Sequence, residues 1–305
     1  MVQVNRIYLI FNPVHFLVDS SAAYNKEKSI STTIESVISS AKTVSYEIII
    51  VNDGSTDRTS EVVRQYDSHN IKLVNQFNQG VSAARNRGVI EAKGRWIMFL
   101  DADDVLSENL FQNIKNYFAT TADLIIGNFY IINDKGNKII WSKRPLTGLY
   151  STNKLLEKWY FKRFFIRSGN FLIRREQLDY NIFDERLSRF EDVKAYIKLL
   201  KRDINVLFVK DCFMSYLQSN CSASLALNNK FDRDYCAHLN FNVYSFWEKL
   251  ISAELLSCAY SDYPEKSDYL KKKYKGTSIF IVINQFLFPI KYLVRKIFGI
   301  WAIDK

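Results

Sequence analysis

Proline is scarce in this chain, with 4 among 305 residues, which excludes stiff Pro-rich linkers and Pro-rich recognition segments. Glycine is also low at 10, far below what a flexible low-complexity or collagen-like chain contains. The three histidines, His15, His69 and His238, lie far apart, so a zinc site or a Ser-His-Asp triad is not expected. The four cysteines, Cys212, Cys221, Cys236 and Cys258, form no C-x-x-C pair. Neither a metal knuckle nor a disulfide framework is expected, and free thiols in a reducing cytoplasm are the simplest account. No secretory leader is evident at the start. Internal repeats and low-complexity blocks are lacking as well.

Core material is plentiful. With 48% hydrophobic and 15% aromatic residues, the chain can fold as one large domain or two small ones. The aromatic excess, including Trp141, Trp159 and Trp247, reads as core rather than as a sugar platform. The formal charge of +10 calls for a partner. Basic residues cluster late, at Lys271 to Lys273, Lys275, Lys291, Arg295 and Lys296. No nucleic-acid-binding motif accompanies them. Between Ile279 and Ile303 they mix with Phe280, Phe286, Phe288, Phe298 and Trp301, and the apolar runs are too short to span a bilayer. An interfacial helix on an anionic membrane surface is therefore expected. A core-packing helix or a homodimer helix is the alternative.

The chemistry concentrates in Asp101-Ala102-Asp103-Asp104, which follows the apolar run Trp96 to Leu100. Carboxylates two residues apart in extended chain share a face. At the carboxyl end of a buried strand, where an open α/β sheet places its ligand, they can hold a hard divalent cation and through it a diphosphate. A solvated acidic turn is the alternative. Upstream, Glu47 to Val51 reads as a strand buried on both faces. It runs into Asn52-Asp53-Gly54-Ser55-Thr56-Asp57, where Gly54 permits a turn and Ser55 or Thr56 can cap the next helix. Asp53 is then free to accept hydrogen bonds from a ligand.

Periodicity gives an alternation of elements. Ile30, Ile34, Val37, Ile38 and Ala41 mark a first helix. Strands over 47–51, 71–74 and 95–100 alternate with helices from about 57, over 80–91 and from Ser107, the last N-capped by Ser107 and burying Leu110, Phe111, Ile114 and Phe118. This predicts a mainly parallel sheet covered by helices on both faces. Asp123 to Ile132 and Lys138 to Trp141 flank Asn133-Asp134-Lys135-Gly136-Asn137, a hairpin signal. A second acidic pair, Glu191-Asp192, precedes the helical run Ala195 to Leu200. It can serve the helix dipole alone or a reaction.

Tyr24-Asn25-Lys26-Glu27, Ile49 to Asp57, Gly80 to Gly88 and Phe99 to Asp104 occur in an order and at intervals that resemble the family 2 glycosyltransferases of the GT-A fold. The resemblance is strong over about residues 22–118 and patchy to about 224. It implies a Rossmann-like GT-A domain over 1–225, with a nucleotide-binding half over about 16–118 and an acceptor half over about 119–225, followed by a helical C-terminal extension over 226–305. It further implies a nucleotide-sugar donor, favouring UDP, and Mn²⁺ or Mg²⁺ as cofactor. By position, Asp53 would bind the base, Asn25 and Arg85 the nucleotide, Asp101 the ribose or metal-bound diphosphate, and Asp103 the metal. Asp192 would be the catalytic base and Glu191 would orient the site, giving inversion. Asn170 could touch the donor sugar or serve a turn, Arg85 could instead make a surface salt bridge, and Tyr216 to Ser224 is similar to a loop that closes over the diphosphate. The acceptor implied is a lipid-linked glycan of bacterial surface polysaccharide, of O-antigen or capsule type. Localisation would be cytoplasmic, peripheral on the inner face of the plasma membrane.

The chain departs from the family pattern at its start. Ala22 stands where proline is expected, and Asp19-Ser20-Ser21 interrupt the first strand. Both Phe16 to Val18 and the apolar run Arg6 to Phe11 are candidates for that strand. The interruption is the best support for a rival reading as a non-catalytic membrane scaffold or partner subunit. A nucleotidyltransferase is a second rival, but Ala22-Ala23-Tyr24-Asn25 is not the Gly-rich phosphate loop it would need.

Overall fold

The computed structural model describes residues 14–19, 26–42, 44–66, 70–133, 135–152, 155–161, 164–187 and 191–217, together with Ile283, Leu287 and Ile290. The chain opens on strand β1 (Val14–Asp19) and helix α1 (Ile30–Ser40), followed by β2 (Tyr46–Asp53), α2 (Thr59–Arg64), β3 (Ile71–Gln76), α3 (Val81–Glu91) and β4 (Trp96–Asp101). Next come β5 (Val105–Leu106), α4 (Leu110–Ile114) with a 3-10 continuation to Ala119, and the hairpin of β6 (Leu124–Ile132) and β7 (Lys138–Ile140). The second half holds β8 (Gly148–Ser151), α5 (Leu155–Tyr160), β9 (Phe171–Arg174), α6 (Glu191–Leu200) and β10 (Asn205–Leu217).

The ten strands among the described residues join one sheet in the order β3-β2-β1-β4-β9-β6-β10-β5, with β7 on β6 and β8 on β10. The strands from β3 to β4 are parallel. The direction reverses at β9, which is antiparallel to both β4 and β6, and β6 and β10 resume parallel pairing. The architecture is therefore the expected α/β one, parallel in the nucleotide half and mixed beyond it. Of the two candidates for the first strand, Val14–Asp19 takes the central place, and the Arg6 to Phe11 run lies outside the described residues. Its register sets Asp19 beside Asp101, so β1 and β4 end together at the carboxyl edge.

Alternation along the strands builds two cores. Ile49, Val51, Ile97, Phe99, Phe171, Ile173, Val206 and Phe208 face α3, α5 and α6. Ile48, Ile50, Trp96, Met98, Leu100 and Leu172 face α1 and α4. The first helix buries Ile30, Ile34 and Val37 completely, at 0% exposure, because they recur at i, i+4 and i+7. Trp141 and Trp159 are buried, and Trp141 stacks on Phe129 with ring centroids 5.3 Å apart; both are core, while Trp247 lies outside the described residues. Cys212 is a free, half-buried thiol that burial pushes up; the other three cysteines lie outside.

Two cap expectations are corrected. Ser107 does not cap α4: the helix begins after Asn109 without a side-chain cap hydrogen bond, and the Ser107 hydroxyl has no hydrogen-bond partner among the described residues. At α2 the Asp57 carboxylate, rather than a hydroxyl of Ser55 or Thr56, accepts the Thr59 N–H at 3.0 Å. Among the described residues no helix is long and apolar enough to cross a membrane. Of the expected interfacial tail, Ile283 and Leu287 pack, partly buried, against the core that includes α6. That contact fits the core-packing alternative for this turn, while the Lys271 run, Lys291, Arg295 and Lys296 lie outside the described residues.

Candidate functional site

The carboxyl edge of the parallel strands gathers the acidic motifs. β2 ends in Asp53 and β4 in Asp101. Asp53 is not the free acceptor expected. It is 1% exposed, and its Oδ1 accepts from Gln76 Nε2 and the Gln79 N–H while Oδ2 accepts from the Gly80 N–H, all at 2.8 Å. Its charge thus ties down the loop that starts α3, and Gly80 can enter that loop because its φ of 91° costs glycine nothing. A Cβ at Gly54 would lie 2.9 Å from the Asn78 backbone nitrogen, so the turns after β2 and β3 meet where only glycine fits. Asn52 reinforces the junction through Ser60 and Asn75.

The small-residue helix α3 is a polar connector. Ser82, Arg85 and Asn86 are buried at i, i+3 and i+4, and all face the segment ahead of α6. Asn86 Nδ2 donates to the Phe183 carbonyl and to Glu185, both at 2.9 Å. Arg85 is 7% exposed, so it is not a surface residue. Its Nη1 donates to Glu191 Oε1 at 2.8 Å and its Nη2 to Asp101 Oδ1 at 3.3 Å, with the guanidinium carbon 5.3 Å from the centroid of the Phe183 ring. One arginine thereby joins the acid of the nucleotide half to the acid pair that opens α6. Burial pushes the Glu191 carboxyl up, Asp192 adds to this, and Arg85 opposes it. Asp192 is half-buried. Burial pushes it up too, with Asp101 adding, against the pull of Arg85, the Val193 N–H and Arg167.

Asp103 is the open member of the Asp101-Ala102-Asp103-Asp104 motif. Its side chain is 43% exposed and pairs with Lys26 Nζ at 2.5 Å. Asp104 turns inward, 2% exposed, with Oδ2 lacking a hydrogen-bond partner among the described residues. Burial holds its carboxyl well above the usual range, Arg167 pulls it down, and Asp101 and Asp103 push it further up. Arg167 lies 3.5 Å from the centroid of the Tyr216 ring, at the start of the segment expected to close over the diphosphate; residues beyond Leu217 lie outside the described ones. Asn170 serves the turn and not a ligand: it is 1% exposed, accepts the Arg167 N–H and donates to the carbonyls of Gly127 and Phe165.

Among the described residues no three His, Cys, Asp or Glu side chains converge as a self-sufficient metal site. The donor chemistry still fits a hard cation, since Mg²⁺-type sites commonly take one or two carboxylates and complete their shell with substrate phosphates and water. Asp103 is the exposed carboxylate that would be open to such a cation. Asn25 lies outside the described residues. A groove of about 680 Å³ runs along α6, lined by Asp184, Arg186, Lys194, Ile197, Lys198 and Lys201; Asp101, Asp103 and Asp192 do not line it, so it is separate from the acidic edge.

The sequence missed Lys26, Asp57, Asp104 and Arg167 as site-shaping groups. The first three stood inside quoted motifs, so the signal for them was adjacency. Arg167 carried none beyond preceding the Ser168-Gly169-Asn170 turn.

Known proteins resemble this chain in sequence and in fold. The chain is 30% identical over 195 residues to the cholesterol galactosyltransferase of Borreliella burgdorferi, covering 60% of this chain and 54% of that one. It is 26% identical over 296 residues to the uncharacterized glycosyltransferase EpsJ of Bacillus subtilis, covering 86% and 83%. The fold matches that of S. aureus TarS 1-349 in complex with UDP-GlcNAc, with a TM-score of 0.57, 20% identity, and coverage of 82% of this chain and 72% of that one. Residues 22–183, more than half of the 305, match the model of the family described as Glycosyl transferase family 2, and the chain belongs to that family.

Proposed function

We propose that the protein transfers a sugar from a nucleotide donor, a UDP-sugar, to a hydroxyl of a lipid-linked glycan during surface polysaccharide synthesis, with inversion at the anomeric carbon. The observation that carries this reading is the Arg85 bridge between Asp101 and Glu191. It sets the carboxyl edge of the nucleotide half against an acid pair contributed by the other half. The UDP assignment draws support from the TarS complex with UDP-GlcNAc. The lipid acceptor draws support from the relative named for cholesterol.

In this reading Asp192 takes the proton of the acceptor hydroxyl as its oxygen attacks the anomeric carbon, and the nucleoside diphosphate leaves on the opposite side. A single displacement inverts the centre. A carboxylate raised by burial is a stronger base than one in water. Glu191 and Arg85 act as positioning residues, and Asp101 lies where ribose or diphosphate approaches. Asp53 holds the Gln79–Gly80 loop on which the base would rest. Asp103 is the residue that would hold Mn²⁺ or Mg²⁺, which neutralises charge on the departing diphosphate when bound. The protein would work at the cytoplasmic face of the plasma membrane, where such donors and acceptors meet.

The test is donor hydrolysis, with water standing for the acceptor hydroxyl. The purified protein with Mn²⁺ is offered a panel of nucleotide sugars, and slow release of UDP from one UDP-sugar is the expected outcome. Release of nucleotide from no UDP-sugar overturns the donor assignment. Asp192→Asn should retain UDP binding and lower hydrolysis at least about 10²-fold, the low end for removing a general base. Near-normal hydrolysis moves the base to another residue, with Glu191 next.

A further inference from the structure

Lys26 has no part in the roles above, yet its main chain is fixed on every side. Its N–H donates to Thr59 Oγ1 at 3.1 Å, and Thr59 Oγ1 in turn donates to Asp57 Oδ1. The next residue repeats the clamp: the Glu27 N–H donates to Asp57 Oδ2, and Glu27 Oε2 accepts the Arg58 N–H, both at 3.1 Å. The Lys26 carbonyl accepts from the N–H groups of Ser29 and Ile30 at 3.0 Å and so begins α1. A backbone held this way delivers its side chain to one place. That place is Asp103 Oδ2, 2.5 Å from the ammonium, with the two side chains 29% and 43% exposed.

Stability does not account for the ion pair at the end of this clamp, because pairs this exposed contribute little to folding. The pair is better understood through what else the Asp103 carboxylate would hold. A divalent cation and the ammonium compete for the same oxygens. Once the cation takes them, an ammonium whose backbone root is fixed would be left free to reach a diphosphate held by that cation. Lysine suits that position, as a point charge with three donors and a flexible stem.

We propose that Lys26 is a tethered counter-cation of the donor site. It neutralises Asp103 in the free protein, yields that carboxylate to the divalent cation, and then donates to a phosphate oxygen of the bound nucleotide. The inference rests on the reading of Asp103 as the cation's ligand. It makes cation affinity low without nucleotide and high with it, since the displaced ammonium gains a new anionic partner only when the diphosphate is present.

The consequence is a pair of changes of opposite sign. In Lys26→Met, Mn²⁺ alone should bind about two- to fivefold more tightly, the range that loss of a competing exposed ion pair allows. UDP in the presence of Mn²⁺ should bind about tenfold or more weakly, as expected for loss of a charge-assisted hydrogen bond. Free Mn²⁺ is read by electron paramagnetic resonance and UDP binding by calorimetry, with Lys26→Gln as a second neutral variant should methionine disturb folding. Lys26→Arg, which keeps the charge, should recover most of the UDP affinity. Weakening of both ligands in the neutral variants would mark a merely structural residue and overturn the proposal, as would unchanged UDP affinity. Mn²⁺ binding that Asp103→Asn abolishes but Lys26→Met leaves unchanged refutes the counter-cation alone. Absence of Mn²⁺ binding in wild type and Lys26 variants alike refutes the metal reading and the inference with it.

Discussion

Replacing Arg85 by methionine should destabilise the protein in a pH-dependent way that a second substitution repairs. The side chain is 7% exposed and bonds Glu191 at 2.8 Å and Asp101 at 3.3 Å. Methionine keeps comparable apolar bulk beside Phe183 but leaves buried carboxylates without their cation. Removing one partner of a buried pair costs about 3–5 kcal/mol. For a domain of about 150–250 residues each kcal/mol shifts Tm by about 2–4 °C, so a drop of about 6–20 °C is expected at neutral pH. The pH dependence follows from proton linkage. Glu191 and Asp192 already titrate above their ordinary 4.5 and 3.8, and Arg85 is a force that lowers both. Without it their folded-state values rise further. A carboxyl raised on folding binds its proton more readily in the folded state, so the contribution is most favourable at low pH and is lost as pH rises through the window above the ordinary value. The Tm difference between wild type and Arg85→Met should therefore be small near pH 5 and large near pH 8. Arg85→Met with Glu191→Gln removes charge from both sides and should recover much of the loss at pH 8. Scanning fluorimetry across that range suffices. A Tm difference independent of pH, or a double variant no better than the single one, would refute the claim that a desolvated charge bridge joins the two halves.

Two further substitutions test other contacts. Asp53→Asn keeps one acceptor oxygen but turns an amide toward the Gly80 N–H; at about 1–3 kcal/mol for an unsatisfied buried group, Tm should fall by about 2–12 °C together with UDP affinity, and lost UDP affinity at unchanged Tm would show that Asp53 acts only by touching the base. Leu287→Ala should lower stability by about 1–2 kcal/mol, about half the usual cost for a fully buried leucine, and leave co-sedimentation with anionic vesicles unchanged; lost vesicle binding at unchanged Tm would put this helix face in lipid instead.

The parts of this fold that were legible in the sequence are those governed by local pattern. The α1 stripe, the buried runs of β2 and β4 and the β6–β7 hairpin follow from period and turn chemistry within about ten residues. The first strand did not, because its own residues specify it weakly. β2 and β4 pair with Val14–Asp19 on both sides, and context of that kind overrides propensity. The acidic motifs were legible as places and less so as roles. Arg85 meets Glu191 across 106 residues and Asp53 meets Gly80 across 27, and no local rule announces that a carboxylate is already engaged. Asn170 shows the same thing at short range, since a turn and a ligand contact ask for the same side chain. Ser107 had a capping residue's identity, yet the helix starts two residues later, after Asn109.

The central position of β1 has a consequence for how the chain is made. Val14 pairs with Tyr46 on one side and with Trp96 on the other. The earliest of the described strands to leave the ribosome therefore waits 82 residues (96 − 14) for its second neighbour. At about 5–20 residues per second that is about 4–16 s during which an apolar sheet edge stays open. β4, once in place, waits again for β9, since Trp96 pairs with Arg174. The sheet is thus not completed in chain order: β9, which lies between β4 and β6, is made after both. A nascent chain must be kept from pairing the open lateral edge of β4 with another copy until the second half arrives.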